Sequence, residues 1–465
     1  MVNSNDIILK YVDDPCICLP GTRMELGDEI YRRRLELALH AMEMRNYDYL
    51  VLYGDREHFS NFQYLTGFEP RFEEGILILR KDGKASVLLG NECLGMAAYS
   101  RLKVKGILFQ ALSLPNQPID KLRDLKDIFR EEGIGEKSMV GVVGWKLMYP
   151  RYAGEHEFDV PHFIIKALEG IAGNAHVFNA TDLFIHPEYG VRTLHTAQEI
   201  INLEFGAAYA SDAVKEMING LRTGISEVGL SRMMMSGGIE ISCFPMLSTG
   251  ERTEMGLVSP SGRIIKLGDP INLSQGLRGG LTCRAGYVAY SDEDLPENSK
   301  DYIEVLGKPY FATVVNWFEH IKIGASSGDI YDMVQTAFPK EKYGWVLNPG
   351  HLISTEEWSA SPFYAGSEIK IKSGMCLQMD MIPSMEGYAG ANCEDGIAVA
   401  DEYLRDEIKR LSPDTYARMM ERRRLMTEAV GIRLSEEILP LSNLTGLYRP
   451  FMLNRNLAFA VKAQS

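Results

Sequence analysis

The chain is poor in the features that mark several broad classes. It has no run of about 18 apolar residues, so no membrane-spanning helix is expected. It has no C-x-x-C, and its seven cysteines are scattered apart from Cys16 and Cys18, so neither a zinc ribbon nor a thioredoxin-type motif is supported. An odd number of scattered thiols reads as buried cysteines in a reducing compartment. Basic residues are outnumbered, 49 Lys and Arg against 63 Asp and Glu, for a net charge of −14. That balance argues against binding a nucleic-acid backbone, favours solubility and is neutral about small substrates. The opening MVNSNDIILKYVDD lacks a basic stretch followed by an apolar one, so it does not read as a signal peptide, and a cytoplasmic location is expected.

What is present describes a globular chain with a large core: 465 residues, 45% hydrophobic, enough for two or three domains. Residues 1–28 read as an irregular extension. A helix is expected near Asp28–Met44, with Leu35, Leu37, Ala38 and Met42 as core positions. YDYLVLYG (47–54) reads as a buried strand, and GILILRKDGKASVLLG (75–90) as a hairpin turning at Asp82-Gly83. Alternating helices and apolar strands make an α/β domain over residues 1–185. The boundary falls in FIHPEYGVRTLHTAQE (184–199), which combines Pro, Gly and a helix start. A second domain then spans 190–440. In it, GLRTGISEVGLSRMM (220–234) and HIKIGASSGDIYDMV (320–334) echo one another. Each has a helix end, Gly224 or Gly324, Ser226 or Ser326 as N-cap, and a further helix. This implies two units of two helices plus a hairpin, related by pseudo-symmetry, and a six-stranded curved sheet covered by helices. The charged stretch from about 404 reads as helices, with the run Glu421–Arg424 as a solvated helix face. Residues 441–465 read as an irregular C-terminal extension.

Three spaced residues carry the chemistry: His351 in NPGHLIS, Asp380 in MCLQMDMIPS and Glu394 in GANCEDGIAVAD. Each sits in or beside an apolar, strand-like stretch. A carboxylate flanked by Leu377, Met379, Met381 and Ile382 is not simply solvated, and buried charge is costly unless paired, hydrogen-bonded or metal-bound. One imidazole and two carboxylates converging from strands suit a divalent metal or acid/base catalysis. An internal ion pair is the structural alternative.

The order of these segments resembles the pita-bread family of methionine aminopeptidase, Xaa-Pro aminopeptidase, prolidase and creatinase. RTLHTAQEIINLEFGAAYASDAVKEMI (192–218) is similar to the helix that opens its catalytic domain. NFQYLTGF (61–68) followed by GILILRKDGKASVLL resembles the N-terminal domain of the creatinase–prolidase branch. The resemblance implies an α/β (α+β) chain: a creatinase-like N-terminal domain, then a pseudo-twofold pita-bread domain with a curved antiparallel sheet.

The departures bear on function. Metal-dependent members supply two aspartates from a hairpin of the type Asp-x-Gly…Gly-Tyr-x-x-Asp. The matching stretch, PINLSQGLRGGLTCRAGYVAY, carries Ser274 at the first position and Arg284 or Ala285 at the second. Five ligands are reduced to three: His351, Asp380 in place of a glutamate, and Glu394. The ordinary dinuclear site is not expected. The cofactor is either none or a single divalent metal (Mn, Zn, Fe or Co) held by His351, Asp380 and Glu394. Creatinase works without metal through a histidine early in the domain, but the matching segment TGERTEMGLVSPSGR (249–263) has none, with Val258 near its place.

The resemblance therefore implies a hydrolase acting on a C–N bond of a small amino-acid-like or amidino substrate. His351, Asp380 and Glu394 would be catalytic. The alternatives are an Xaa-Pro peptidase-like metallohydrolase with a rebuilt one-metal site, and a non-catalytic pita-bread binding protein. Arg284 is a candidate to hold a substrate carboxylate or replace lost metal charge, and otherwise a structural arginine. Trp358 follows Glu356 and Glu357 where relatives carry a second histidine. It is a candidate aromatic wall for substrate, or a core residue. By resemblance, Arg71 and Phe72 would contact substrate across a homodimer, the N-terminal domain of one subunit reaching the neighbour's site. The expected partners are a small molecule or short peptide, with no nucleic acid and no membrane.

Overall fold

The computed structural model describes residues 1–148, 154–234 and 237–463. These divide into two compact units, one of residues 26–193 and one of 1–25 with 194–465. The first strand, β1 (Ile7–Tyr11), belongs to the second unit.

In unit 26–193, strands β2 (Tyr49–Gly54), β3 (Gly75–Arg80), β4 (Ala85–Leu89), β5 (Val104–Leu108), β6 (Val140–Val143) and β7 (Val177–Asn179) form one sheet. Its order is β5-β4-β3-β2-β6-β7. The β2–β3–β4 pairs are antiparallel and the flanking pairs parallel. Both faces are buried, which is why the strands read as continuous apolar runs. Leu50, Leu52, Leu77 and Leu79 face one cluster with Ala38 and Met42 of the helix Asp28–Met44. Val51, Tyr53, Ile76 and Ile78 face another with Ile128, Ile164 and Leu168. The period of two that separates these sets is the pleat itself. Gly83 at the hairpin turn takes φ +82, where a side chain would be strained.

The second unit holds β8 (Ile241–Thr249), β9 (Pro270–Leu277), β10 (Gly280–Tyr287), β11 (His351–Leu352), β12 (Cys376–Met379), β13 (Asn392–Val399) and β14 (Ile438–Pro440). Six follow the order β11-β12-β13-β10-β9-β8, with β14 added to β13. The sheet is curved and antiparallel, as the resemblance predicts, and β13 and β10 meet at its centre.

The internal echo is structural. The helices Ala197–Gly220 and Lys308–His320 each run into a glycine with φ near +85, Gly224 and Gly324. The amide of Gly224 donates to Ile265 O at 2.9 Å, and that of Gly324 to Ile371 O at 2.9 Å. Ser226 bridges Ile264 and Ser326 bridges Lys370. The echo is incomplete at the caps: Ser226 Oγ accepts from the Gly229 amide, whereas Ser326 Oγ donates to Ser367 O.

Three sequence expectations need correction. Residues 1–25 are not an extension of the N-terminal domain, because β1 pairs antiparallel with β15 (Leu457–Val461) of the second unit. The boundary lies at 193/194, inside the expected 184–199 stretch but a few residues past the limits drawn at 185 and 190. Residues 441–465 are not an irregular tail: Leu441, Leu444, Leu447, Tyr448, Phe451 and Met452 are buried in the unit's core. A turn-rich segment can be buried when its backbone polar groups find partners. Here Leu444 O and Leu447 O accept from Arg284.

Candidate functional site

The site is built on the centre of the curved sheet and its β11 edge. Gly350 precedes β11 with φ +118, and a Cβ there would stand 2.7 Å from Gln378 O. Only glycine lets the chain pass that carbonyl and lay His351 beside Gln378, its register partner. Asp380 follows directly after β12, and Glu394 lies in β13 opposite Cys283 of β10. Cys283 in turn faces Ser274 of β9. Side chains alternate along each strand, so Ser274, Cys283, Glu394, Gln378, Asp380 and His351 share one face.

His351, Asp380 and Glu394 are buried, and one ligand atom from each lies within 4.8 Å of the others. His351 Nδ1 stands 3.2 Å from Leu352 O, a group that can only accept, so Nδ1 carries the hydrogen. Nε2 then points at Glu357 Oε1, 3.1 Å away, and Asp380 Oδ2, 4.0 Å away. Glu357 is close but poorly aligned, and His351 Nε2 and Asp380 Oδ1 are both buried without a hydrogen-bond partner. Gln378 Nε2 donates to Glu394 Oε1 at 3.2 Å and also to Leu281 O. The ring of Trp358 stacks on His351 with centroids 4.0 Å apart.

Crowded, buried carboxylates resist ionisation. Burial, with Glu357 adding repulsion and His351 opposing, pushes Asp380 up to about 7. Burial and the neighbouring Asp380 and Glu357 push Glu394 well above the usual carboxylate range. Burial alone would lower the His351 pKa, but the attraction of Glu357 and Asp380 outweighs it and the net shift is upward. Burial and the charges of Glu394 and Asp380 push the Cys283 thiol well above its ordinary value.

Arg284 does not join this group. Its side chain leaves β10 on the opposite face, where Nη2 meets Asp395 Oδ2 at 2.5 Å and Leu444 O at 2.7 Å. Its remaining hydrogen bonds go to Leu447 O, Cys283 O and Glu394 O. Asp395 is completed by Thr282 and Ser442. Arg284 is thus a structural arginine, and the uncertainty over the second aspartate position resolves at Ala285, which shares the face of Ser274. Trp358 is 36% exposed, neither core nor free surface, and covers His351. In the other unit, Arg71 takes φ 56 and pairs with Glu69 at 3.1 Å, while Phe72 is 66% exposed.

Sequence reasoning missed Gln378 as a neighbour of the trio and gave Glu357 and Cys283, which lie in the stretches around it, no role there. Cys283 and Gln378 follow once the register is known. Glu357 follows only from the fold of its loop. The amide of Leu352 donates to Ala360 O and that of Ser359 to Leu352 O, which turns residues 353–359 back over His351.

One divalent ion fits the chemistry of the trio. Nε2 of His351 and Oδ1 of Asp380 are buried without hydrogen-bond partners, and imidazole with carboxylates is a usual donor set. The 4.8 Å spread is slightly wider than the ~3–4 Å between ligands of one ion at ~2.1 Å, a gap that side-chain rotation closes. On that face Ser274 and Ala285 offer no carboxylate at the two positions where the resemblance places aspartates.

The fold is therefore that of the pita-bread proteins with an N-terminal α/β unit. No family model and no curated protein sequence matches the chain. Solved structures do. The Xaa-Pro dipeptidase from Bacillus anthracis superposes with a TM-score of 0.59 at 17% identity, over 80% of this chain and 96% of that one. The prolidase from Thermococcus sibiricus gives 0.62 at 17%, over 81% and 96%. The X-Pro aminopeptidase from Thermotoga maritima gives 0.61 at 12%, over 79% and 95%. At such identities the likeness is one of fold.

Proposed function

We propose that the protein is a hydrolase acting on a C–N bond of a small amino-acid-like, amidino or short-peptide substrate. Its centre is His351, Asp380 and Glu394, with at most one divalent ion. One observation carries the reading. A neutral His351 whose Nδ1–H donates to Leu352 O aims the Nε2 lone pair at two carboxylates. That arrangement is repulsive until a proton or a cation sits between them.

Both ways of relieving it support chemistry on an acyl or amidino carbon. A bound ion would polarise a carbonyl and supply an activated water. The chain's own groups would orient the reactants. His351 and Asp380 would hold and release protons, and Gln378 would fix Glu394 through its amide. Trp358 would form an apolar wall over the imidazole. Without an ion, an Asp380 with a pKa of about 7 next to His351 would be an acid/base pair suited to neutral pH. The likeness to structures described as Xaa-Pro dipeptidase and prolidase supports hydrolysis of a bond at a secondary nitrogen. The reading extends to a homodimer in which Arg71 and Phe72 meet the substrate of the neighbouring subunit. A Phe72→Ala change would then raise KM with kcat retained, and a monomer in sedimentation would remove that part.

The test is ion content after growth with Mn, Zn, Fe or Co, paired with a turnover screen of Xaa-Pro dipeptides, guanidino acids and N-methyl amino acids. Turnover lost in His351→Ala, with folding intact, supports the reading. Turnover in none of these classes would favour a non-catalytic binding protein.

A further inference from the structure

The geometry points to Glu357 as a fourth ligand of the ion at His351, Asp380 and Glu394, a carboxylate from a turn-back loop offsetting the two that the sheet lacks. This inference rests on the one-ion form of the function proposed above.

Two observations carry it. First, Glu357 Oε1 lies 3.1 Å from His351 Nε2, nearer than Asp380 Oδ2 at 4.0 Å, yet it makes no aligned hydrogen bond there. Two atoms at that separation, with the nitrogen lone pair between them, are placed like neighbours around a shared cation. Second, the loop that carries it is anchored. Trp358 stacks on His351, and Ser359 returns to Leu352 O through both its amide and its hydroxyl. Glu357 therefore sits at the Nε2 end of the imidazole, and its side chain is only 20% exposed. A carboxylate that only opposed its neighbours would be better turned to water.

Four ligands of one nitrogen and three carboxylates form an oxygen-rich set. Such sets suit Mn²⁺, Fe²⁺ or Zn²⁺ rather than soft ions. Three carboxylates around one divalent ion also leave a net negative centre, which would favour a substrate bringing a positive charge, such as a free amino or amidino group.

The experiment measures Mn²⁺ and Zn²⁺ binding by calorimetry and ion content in the full-length wild type, Glu357→Gln, Glu356→Gln and His351→Ala. The absorption spectrum of Co²⁺-loaded protein is recorded alongside. The expected result is about one equivalent in wild type and in Glu356→Gln. Glu357→Gln should bind at least tenfold more weakly and show an altered Co²⁺ spectrum. Equal affinity and an unchanged spectrum in Glu357→Gln overturn the inference. If His351→Ala loses the ion in that case, the one-ion centre stands without Glu357. A wild type that takes up no ion under any condition removes both.

Discussion

Removing a carboxylate from the site should stabilise the ion-free protein, and the gain should grow with pH. Asp380 is fully buried, and its pKa stands at about 7 against about 4 in an unfolded chain. A raised folded-state pKa means that folding favours the protonated form. Its stabilising contribution is complete below the unfolded value and is lost as pH rises through the folded value. At 1.36 kcal/mol per unit, ionised Asp380 costs the fold about 4 kcal/mol at pH 8.5 and about 1–2 kcal/mol at pH 5. Asp380→Asn keeps the shape and removes the titration. With chelator present, its advantage over wild type should therefore increase by about 3 kcal/mol between pH 5 and pH 8.5. Urea unfolding followed by tryptophan fluorescence is a suitable assay, because Trp317, Trp345 and Trp358 all lie in the unit that carries the site. Saturating Mn²⁺ or Zn²⁺ should offset most of that advantage. An ion at 100 times its Kd adds about 3 kcal/mol to wild type and less to the variant. An advantage that is flat with pH, or larger at pH 5, would refute the assignment of Asp380 as a buried acid titrating near neutrality.

Other perturbations address the frame. Arg284→Met should destabilise by about 3–5 kcal/mol, because it strands Asp395 in the core, while the Arg284→Met/Asp395→Asn double variant should recover much of that in the same urea assay. Gly350→Ala forces a methyl against Gln378 O at positive φ. It should cost about 2–3 kcal/mol and abolish ion uptake, as measured by melting and elemental analysis. Ser274→Asp/Ala285→Asp restores carboxylates on the site face. It should raise the bound ions from about one to about two per chain, and an unchanged stoichiometry would show that these strands do not line the centre.

What the sequence made legible follows its periodicities. Continuous apolar runs disclosed strands buried on both faces, and a helix over Asp28–Met44 was readable from its apolar spacing. The repeat around Gly224 and Gly324 disclosed the duplicated sheet. His351, Asp380 and Glu394 were legible because charge in an apolar strand needs a reason. The side of the sheet taken by Arg284 was not legible, since one residue of register decides it and the Gly279-Gly280 pair hides that residue. The C-terminal segment misled because Pro and Asn suggest exposed turns. Its burial depends on Arg284 and Ser442 meeting partners far away in sequence. Glu357 was hidden because a loop's path over a distant side chain leaves no period.

The position of Arg284 sharpens the chemistry. Had it pointed into the site, its fixed charge could have replaced a lost ion and left the carboxylates content with Arg284 alone. It is instead consumed on the reverse face by Asp395 and four backbone carbonyls. On the front face, Asp380 and Glu394 are buried and Glu357 mostly so, with His351 as their one basic neighbour among the residues described. Ionised carboxylates at such spacing cannot be balanced by a single imidazolium. The face must therefore hold either extra protons, which makes it an acid/base centre near neutral pH, or a cation. Either state differs from a simple internal ion pair, in which one base would balance one acid, and that difference is the ground for the reaction proposed above.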